Sequence, residues 1–126
     1  MGSVTKRIVG KYPSQNANAK YAFANIATGT TDGALVTAVA GHLIRVLEVR
    51  LSLGATATSI TFNSKGAGPG TAISETVTLA ASGQRDIPFD PVGHFETNPG
   101  EGLTVTTSAA GATYGVGVVY ELVKTS

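Results

Sequence analysis

The chain has no cysteine and no tryptophan. Without cysteine there is no disulfide framework and no thiolate for nucleophilic chemistry, which mildly favours synthesis in a reducing cytoplasm. Charge is scarce as well. Asp, Glu, Lys and Arg make up 13% of the 126 residues, against roughly 25% in ordinary soluble domains. Nine basic and eight acidic residues leave a net charge of +1, which gives no overall steering toward nucleic acid or an anionic membrane surface. No apolar run is long enough to span a bilayer as a helix, and no apolar stretch near Met1 resembles a secretory signal. A sustained helical pattern is missing too, because the Ala-rich pieces are broken by Gly and Thr.

What remains is small, neutral and rich in Ala, Gly, Thr, Ser and Val, with 42% apolar residues. Such a composition suits pleated sheets and close contact between surfaces, and it supplies little charge to keep a monomer apart from its neighbours. The length fits one domain with a real core. Residues 1–19 stand apart from it. Lys6, Arg7 and Lys11 occur there with Tyr12, and the first carboxylate of the chain is Asp32. Gly2, Gly10, Pro13 and the polar run from Ser14 to Asn18 argue against an independent fold. The reading is a basic arm over 1–19, with Lys6, Arg7, Lys11 and Tyr12 as its partner-contacting residues, followed by a single domain over 20–126.

Within that domain the periodicity is that of strands. Short alternating or β-branched runs are separated by Gly, Pro, Asn and Asp at about eight places, the pattern of an antiparallel sandwich or barrel. The clearest run is His42–Leu53. Strict alternation places Leu43, Leu47, Val49, Leu51 and Leu53 inward, and Ile44, Val46, Glu48, Arg50 and Ser52 outward. Arg45 breaks the inward series, so a bulge or strand end is expected near it. Ile60 with Phe62, and Leu103 with Val105 and Thr107, form further inward rows. In the last run, Tyr114, Val116, Val118, Tyr120 and Leu122 point inward, while Gly115 and Gly117 leave the opposite face bare for a ring or backbone to approach. The "GAGPG" at 66–70 reads as a turn, since no helix follows to give a phosphate site its dipole.

The chemistry-bearing residues are few. His42 opens a strand and reads as a strand-end surface residue. His94 lies near Asp86, Asp90 and Glu96 in a segment holding three of the five prolines, and His94, Asp90 and Glu96 are the residue types that could hold Zn²⁺ or Mn²⁺. No paired histidines or acidic calcium loop support it, and no nucleophile-elbow context supports hydrolysis. The expectation is a protein without catalytic, cofactor or metal residues. The segment reads as architecture: Ile87 and Phe89 point one way, Asp90-Pro91 breaks the strand, Gly93 permits a turn and Phe95 plugs the core.

The C-terminal half also carries a resemblance. Ile87, Pro88, Phe89, Pro91, Gly93, Phe95 and Thr97, then Gly100, Glu101, Gly102 and Leu103, then a Gly-rich strand ending in Val119 and Tyr120, resemble small structural proteins of tailed bacteriophages. The upstream stretch from Gly41 to Ser64 is similar to them as well. The resemblance spans roughly residues 20–123 and implies a jelly-roll-like antiparallel sandwich of about eight strands. It implies a capsid decoration, or cement, protein on the outer capsid surface of the virion, made in the host cytoplasm. The implied partners are the major capsid protein and two further copies in a homotrimer, with no nucleic acid, membrane or cofactor. The alternative is a tail or fibre domain that binds a host-surface glycan or protein, through residues such as Tyr12, Tyr21, His94 and Glu96.

Overall fold

Ten strands pair into two antiparallel sheets in the computed structural model, which describes residues 19–27, 29–108 and 113–125. They are β1 (Lys20–Ala27), β2 (Gly33–Val36), β3 (His42–Leu53), β4 (Thr58–Lys65) and β5 (Thr71–Ala72), then β6 (Val77–Leu79), β7 (Gln84–Ile87), β8 (Phe95–Glu96), β9 (Gly102–Thr107) and β10 (Thr113–Lys124). One sheet runs β1-β10-β3-β7 with β8 continuing beside β3; the other runs β2-β9-β4-β5 with β6 continuing beside β4. With β5/β6 and β7/β8 each counted as one interrupted strand, the eight positions follow jelly-roll order, and the chain crosses between the sheets at every step except β4 to β5/β6. The expected all-β sandwich of about eight strands is what the chain forms. The arm residues Lys6, Arg7, Lys11 and Tyr12 lie outside the described residues.

The core is built from inward rows of both sheets. Val49, Leu51 and Leu53 of β3 and Tyr114, Val116 and Val118 of β10 meet Ile60 and Phe62 of β4 and Leu103 and Val105 of β9. Phe95 enters from β8, and its ring centre lies 5.2 Å from that of Phe62. Ile60 and Phe62, Leu103 and Val105 take the positions that alternation assigns them. β2 ends at Val36, and the "TAVA" that follows does not extend it.

One expectation fails on β3. Its pairing with β10 steps from Val119 opposite Glu48 to Tyr120 opposite Val46, so Leu47 is an extra residue on β3. This bulge reverses the inside–outside phase. Ile44 and Val46 join the core beside Val49 and Leu51, whereas Leu43, Arg45 and Leu47 face the other side of the sheet. The expected bulge is real but sits two residues beyond Arg45. Burying a Val or Ile side chain contributes about 1.5–3 kcal/mol, so the bulge places two such residues inside for the loss of one ladder position.

The outward side of β3 is not simply solvated. Leu43, Arg45 and Leu47 are buried there, as are Glu121 and Val123 of β10. The covering includes residues 90–97. Gly93, at φ +96°, lies so close that a Cβ on it would be 2.6 Å from Arg45 Cγ. The segment that follows β7 is therefore strapped along β3. Asp90 N donates to Leu47 O at 2.9 Å, His94 N to Val46 O at 2.8 Å, Thr97 N to Ile44 O at 2.9 Å and Gly100 N to His42 O at 2.8 Å.

Candidate functional site

The strapped segment presents its own tip. Pro88 ends β7, and Asp90 closes a tight turn whose carboxylate Oδ1 accepts from Val92 N at 2.9 Å while its carbonyl accepts from Gly93 N at 2.9 Å. Phe89 precedes that turn and Val92 sits within it, and they are 49% and 47% exposed. Phe89 was expected to point the same way as Ile87. Ile87 is half-buried against the core, but the chain turns at Pro88 and Phe89 faces solvent. The result is an apolar tip on backbone that is fixed by hydrogen bonds at both ends.

Beneath the segment is a buried ionic cluster. Arg45 Nε donates to Glu96 Oε1 at 2.8 Å, and Arg45 Nη1 lies 3.7 Å from Glu121 Oε2. Arg45 is 1% exposed and Glu121 is fully buried. The register explains the meeting, since Arg45 is paired with Glu121 on one side and with Glu96 on the other. In the sequence Arg45 stands out as a break in the inward series and Glu96 as a ligand candidate, while Glu121 carries no signal. No spacing signal links residues 45, 96 and 121; the sheet does.

His94, Asp90, Asp86 and Glu96 do not converge. His94 Nε2 lies 2.7 Å from Pro88 O, Asp90 serves the turn, Glu96 serves Arg45, and Asp86 is paired with Arg50 across β3 and β7. Among the described residues no group of three His, Cys, Asp or Glu side chains is placed to hold a metal ion. His42 opens β3, half-buried, with Nδ1 3.0 Å from Ala40 O. The residues of the glycan-binding alternative are also separated: Tyr21 is on β1, Glu96 is buried in the strap against Arg45 and His94 lines a cavity elsewhere; Tyr12 lies outside the described residues.

That cavity, about 340 Å³, opens between the β7/β8 edge of one sheet and the β5/β6 edge of the other. Leu51, Phe62, Ile87 and Phe95 are its apolar wall, with Glu75 and Arg85 at the mouth. A second, of about 390 Å³, is a groove on the outward face of the β1-β10-β3-β7 sheet. Gly115 and Gly117 form its floor, as the bare face of β10 predicts; Tyr21 and Phe23 of β1 stand on one side and Arg50, Gln84 and Asp86 on the other. Phe23 is 73% exposed, and its ring centre lies 5.8 Å from that of Tyr21.

On the other sheet the outward face is a polar mesh. Asp32, at φ +52°, accepts from Gly70 N at 3.0 Å, Thr104 Oγ1 at 3.1 Å and Asn63 Nδ2 at 3.4 Å, and Asn63 Nδ2 also donates to Thr106 Oγ1 at 2.7 Å. The "GAGPG" stretch is thus a turn, pinned by one carboxylate. Inside the core, Tyr114 Oη has no hydrogen-bond partner. Burial pushes its hydroxyl up to about 12, with the nearby Thr107 side chain pulling weakly the other way.

No known protein-family model matches the chain, and no curated protein matches it.

Proposed function

We propose that this chain is a structural protein of a tailed-phage virion that attaches to the outer capsid surface and stabilises the shell, acting as a homotrimer. The observation that carries the reading is the Phe89–Val92 tip on its hydrogen-bonded strap. A partner that covers this tip gains apolar contact without having to order a loop, because the turn is already fixed. The strap is also the stretch that bears the resemblance to decoration proteins. A shell under outward pressure is held more firmly by anything that binds the assembled lattice and not its separated subunits. Three linked copies on a repeating surface would add effective concentration to individually weak contacts. The major capsid protein is the partner in this reading, and the basic arm with Lys6, Arg7, Lys11 and Tyr12 extends the contact.

Co-sedimentation with expanded empty capsids tests it. Replacing Phe89 and Val92 together by Ser is expected to abolish sedimentation while leaving the unfolding midpoint unchanged; full retention of binding overturns the assignment of the tip. Deletion of residues 1–19 is expected to weaken attachment and preserve cooperative unfolding. Light scattering on the eluting protein decides the trimer, and a monomer at high concentration removes it. A second reading, a tail or fibre domain that binds a host-surface glycan or protein, draws its support from the groove beside Phe23.

A further inference from the structure

We infer that the groove on the outward face of the β1-β10-β3-β7 sheet is a binding site for a neutral oligosaccharide. The reading does not rest on shell attachment, since tip and groove are built from different residues. Its volume of about 390 Å³ lies within the range of about 300–1,000 Å³ usual for small-ligand sites.

The floor is open because β10 carries no side chain there. A Cβ on Gly117 would sit 2.6 Å from Tyr21 Oη, and one on Gly115 would sit 3.2 Å from Ser52 Oγ. Glycine at these two positions lets the Tyr21 ring lie over the strand and leaves a trough beside it. Phe23, opposite Gly117 in the β1–β10 register, projects from the edge strand with most of its ring in solvent. An exposed Phe of this kind, next to a tilted Tyr, offers a flat apolar surface on which the apolar face of a ring can stack, and its desolvation is favourable when such a face covers it.

The opposite wall specifies what else that ligand carries. Arg50 supplies donors, Asp86 acceptors, and the Asn25 and Gln84 amides both. A ligand that meets them must present several groups able both to donate and to accept, around the rim of an apolar face. A pyranose ring does this, with its axial C–H bonds on one face and hydroxyls at its edge. Charge narrows the class further. Arg50 faces Asp86 across the strands and is bonded to Glu48 through Nε at 3.0 Å, so the groove holds no excess positive charge for phosphates or sulfates. A nucleic acid strand, which also stacks on aromatics, would need that charge.

Titration of the ¹⁵N-labelled full chain with maltohexaose, chitohexaose and xylohexaose, and binding of the protein to immobilised dextran, an uncharged bacterial polysaccharide, test the inference. The expected result is movement of the Asn25, Arg50, Gly115 and Gly117 amide signals with a hexaose, or capture on the polysaccharide. Phe23→Ala should weaken it about fivefold or more, taking the loss of one stacking contact at about 1–3 kcal/mol. Response to a soluble hexaose identifies a free saccharide as ligand; capture by the polysaccharide alone identifies a surface-borne chain. Because Phe23 and Tyr21 lie on the surface, their alanine variants should fold, and a Phe89→Ala variant should bind saccharide as the parent does. The inference is overturned if no probe moves these signals and none captures the protein, or if binding survives both Phe23→Ala and Tyr21→Ala. Loss of capsid binding in Phe23→Ala without any saccharide response would make the groove a protein interface and overturn it as well.

Discussion

The outward face of the β1-β10-β3-β7 sheet is open at one end and closed at the other, and β3 supplies both ends. Toward Leu53, Arg50 and Ser52 border a groove floored by glycines. Toward His42, Leu43, Arg45 and Leu47 are buried with Glu121 and Val123. The Leu47 bulge separates the two regimes. On the open side the outward positions carry small or polar residues; on the closed side the phase shift sends two leucines and an arginine outward, and the 90–97 strap helps to cover them. The two arginines of β3 measure the difference. Arg45 is locked between Glu96 and Glu121 out of water, whereas the Arg50 side chain is 67% exposed beside Glu48. A contact of the same chemistry therefore carries different weight at sites five residues apart.

The largest way to break that contrast is Arg45→Ala. It leaves two carboxylates buried without their cation, and removing one partner of a buried ion pair costs about 3–5 kcal/mol. Urea unfolding should show that loss, and a change below about 1 kcal/mol would mean that the cluster is not desolvated. A smaller effect is expected across the sandwich. Asp32→Ala removes the acceptor for Gly70 N, Thr104 and Asn63, and leaving such donors unpaired costs about 1–3 kcal/mol. Hydrogen exchange should show faster opening at Gly70 in that variant, while the strap on the other sheet keeps its protection.

Tyr114→Phe should stabilise the fold by about 1 kcal/mol, because the hydroxyl it removes is buried without a partner. The same residue gives an alkaline signature. Its hydroxyl titrates near 10 in the unfolded chain and at about 12 in the fold, so the folded form holds the proton longer. That contribution is complete below about pH 10 and is lost as pH rises from 10 to 12. A parent-minus-variant difference in stability that stays flat across that window would refute it. Least affected of all should be Arg50→Ala, within about 0.5 kcal/mol by thermal unfolding, as for exposed ion pairs generally.

Alternation in the sequence was enough to place Ile60, Phe62, Leu103, Val105, Tyr114, Val116 and Val118 in the core, and Phe95 with them. It also located the bare face at Gly115 and Gly117. These residues are legible because a strand has period two, and their neighbours in sequence are small or polar. The phase of Ile44 and Val46 was not legible, since every residue from Leu43 to Leu47 except Arg45 is apolar and either register buries something. The groove was half-legible. Tyr21, Phe23 and Asn25 share a face by spacing, but only pairing through β10 to β3 and β7 sets Arg50 and Asp86 opposite them.

The sequence by itself determined the class of this protein: uncharged, β-branched, turn-punctuated segments can bury apolar surface only as stacked sheets. The tertiary structure alone decided which polar residues meet. Arg45 with Glu96 and Glu121, and Asp32 with Gly70 and Thr104, are brought together from 38 to 76 positions away in the chain. The physical reason is that strand register is a long-range choice. It is fixed by the summed fit of two sheets and one bulge, and no local spacing encodes it.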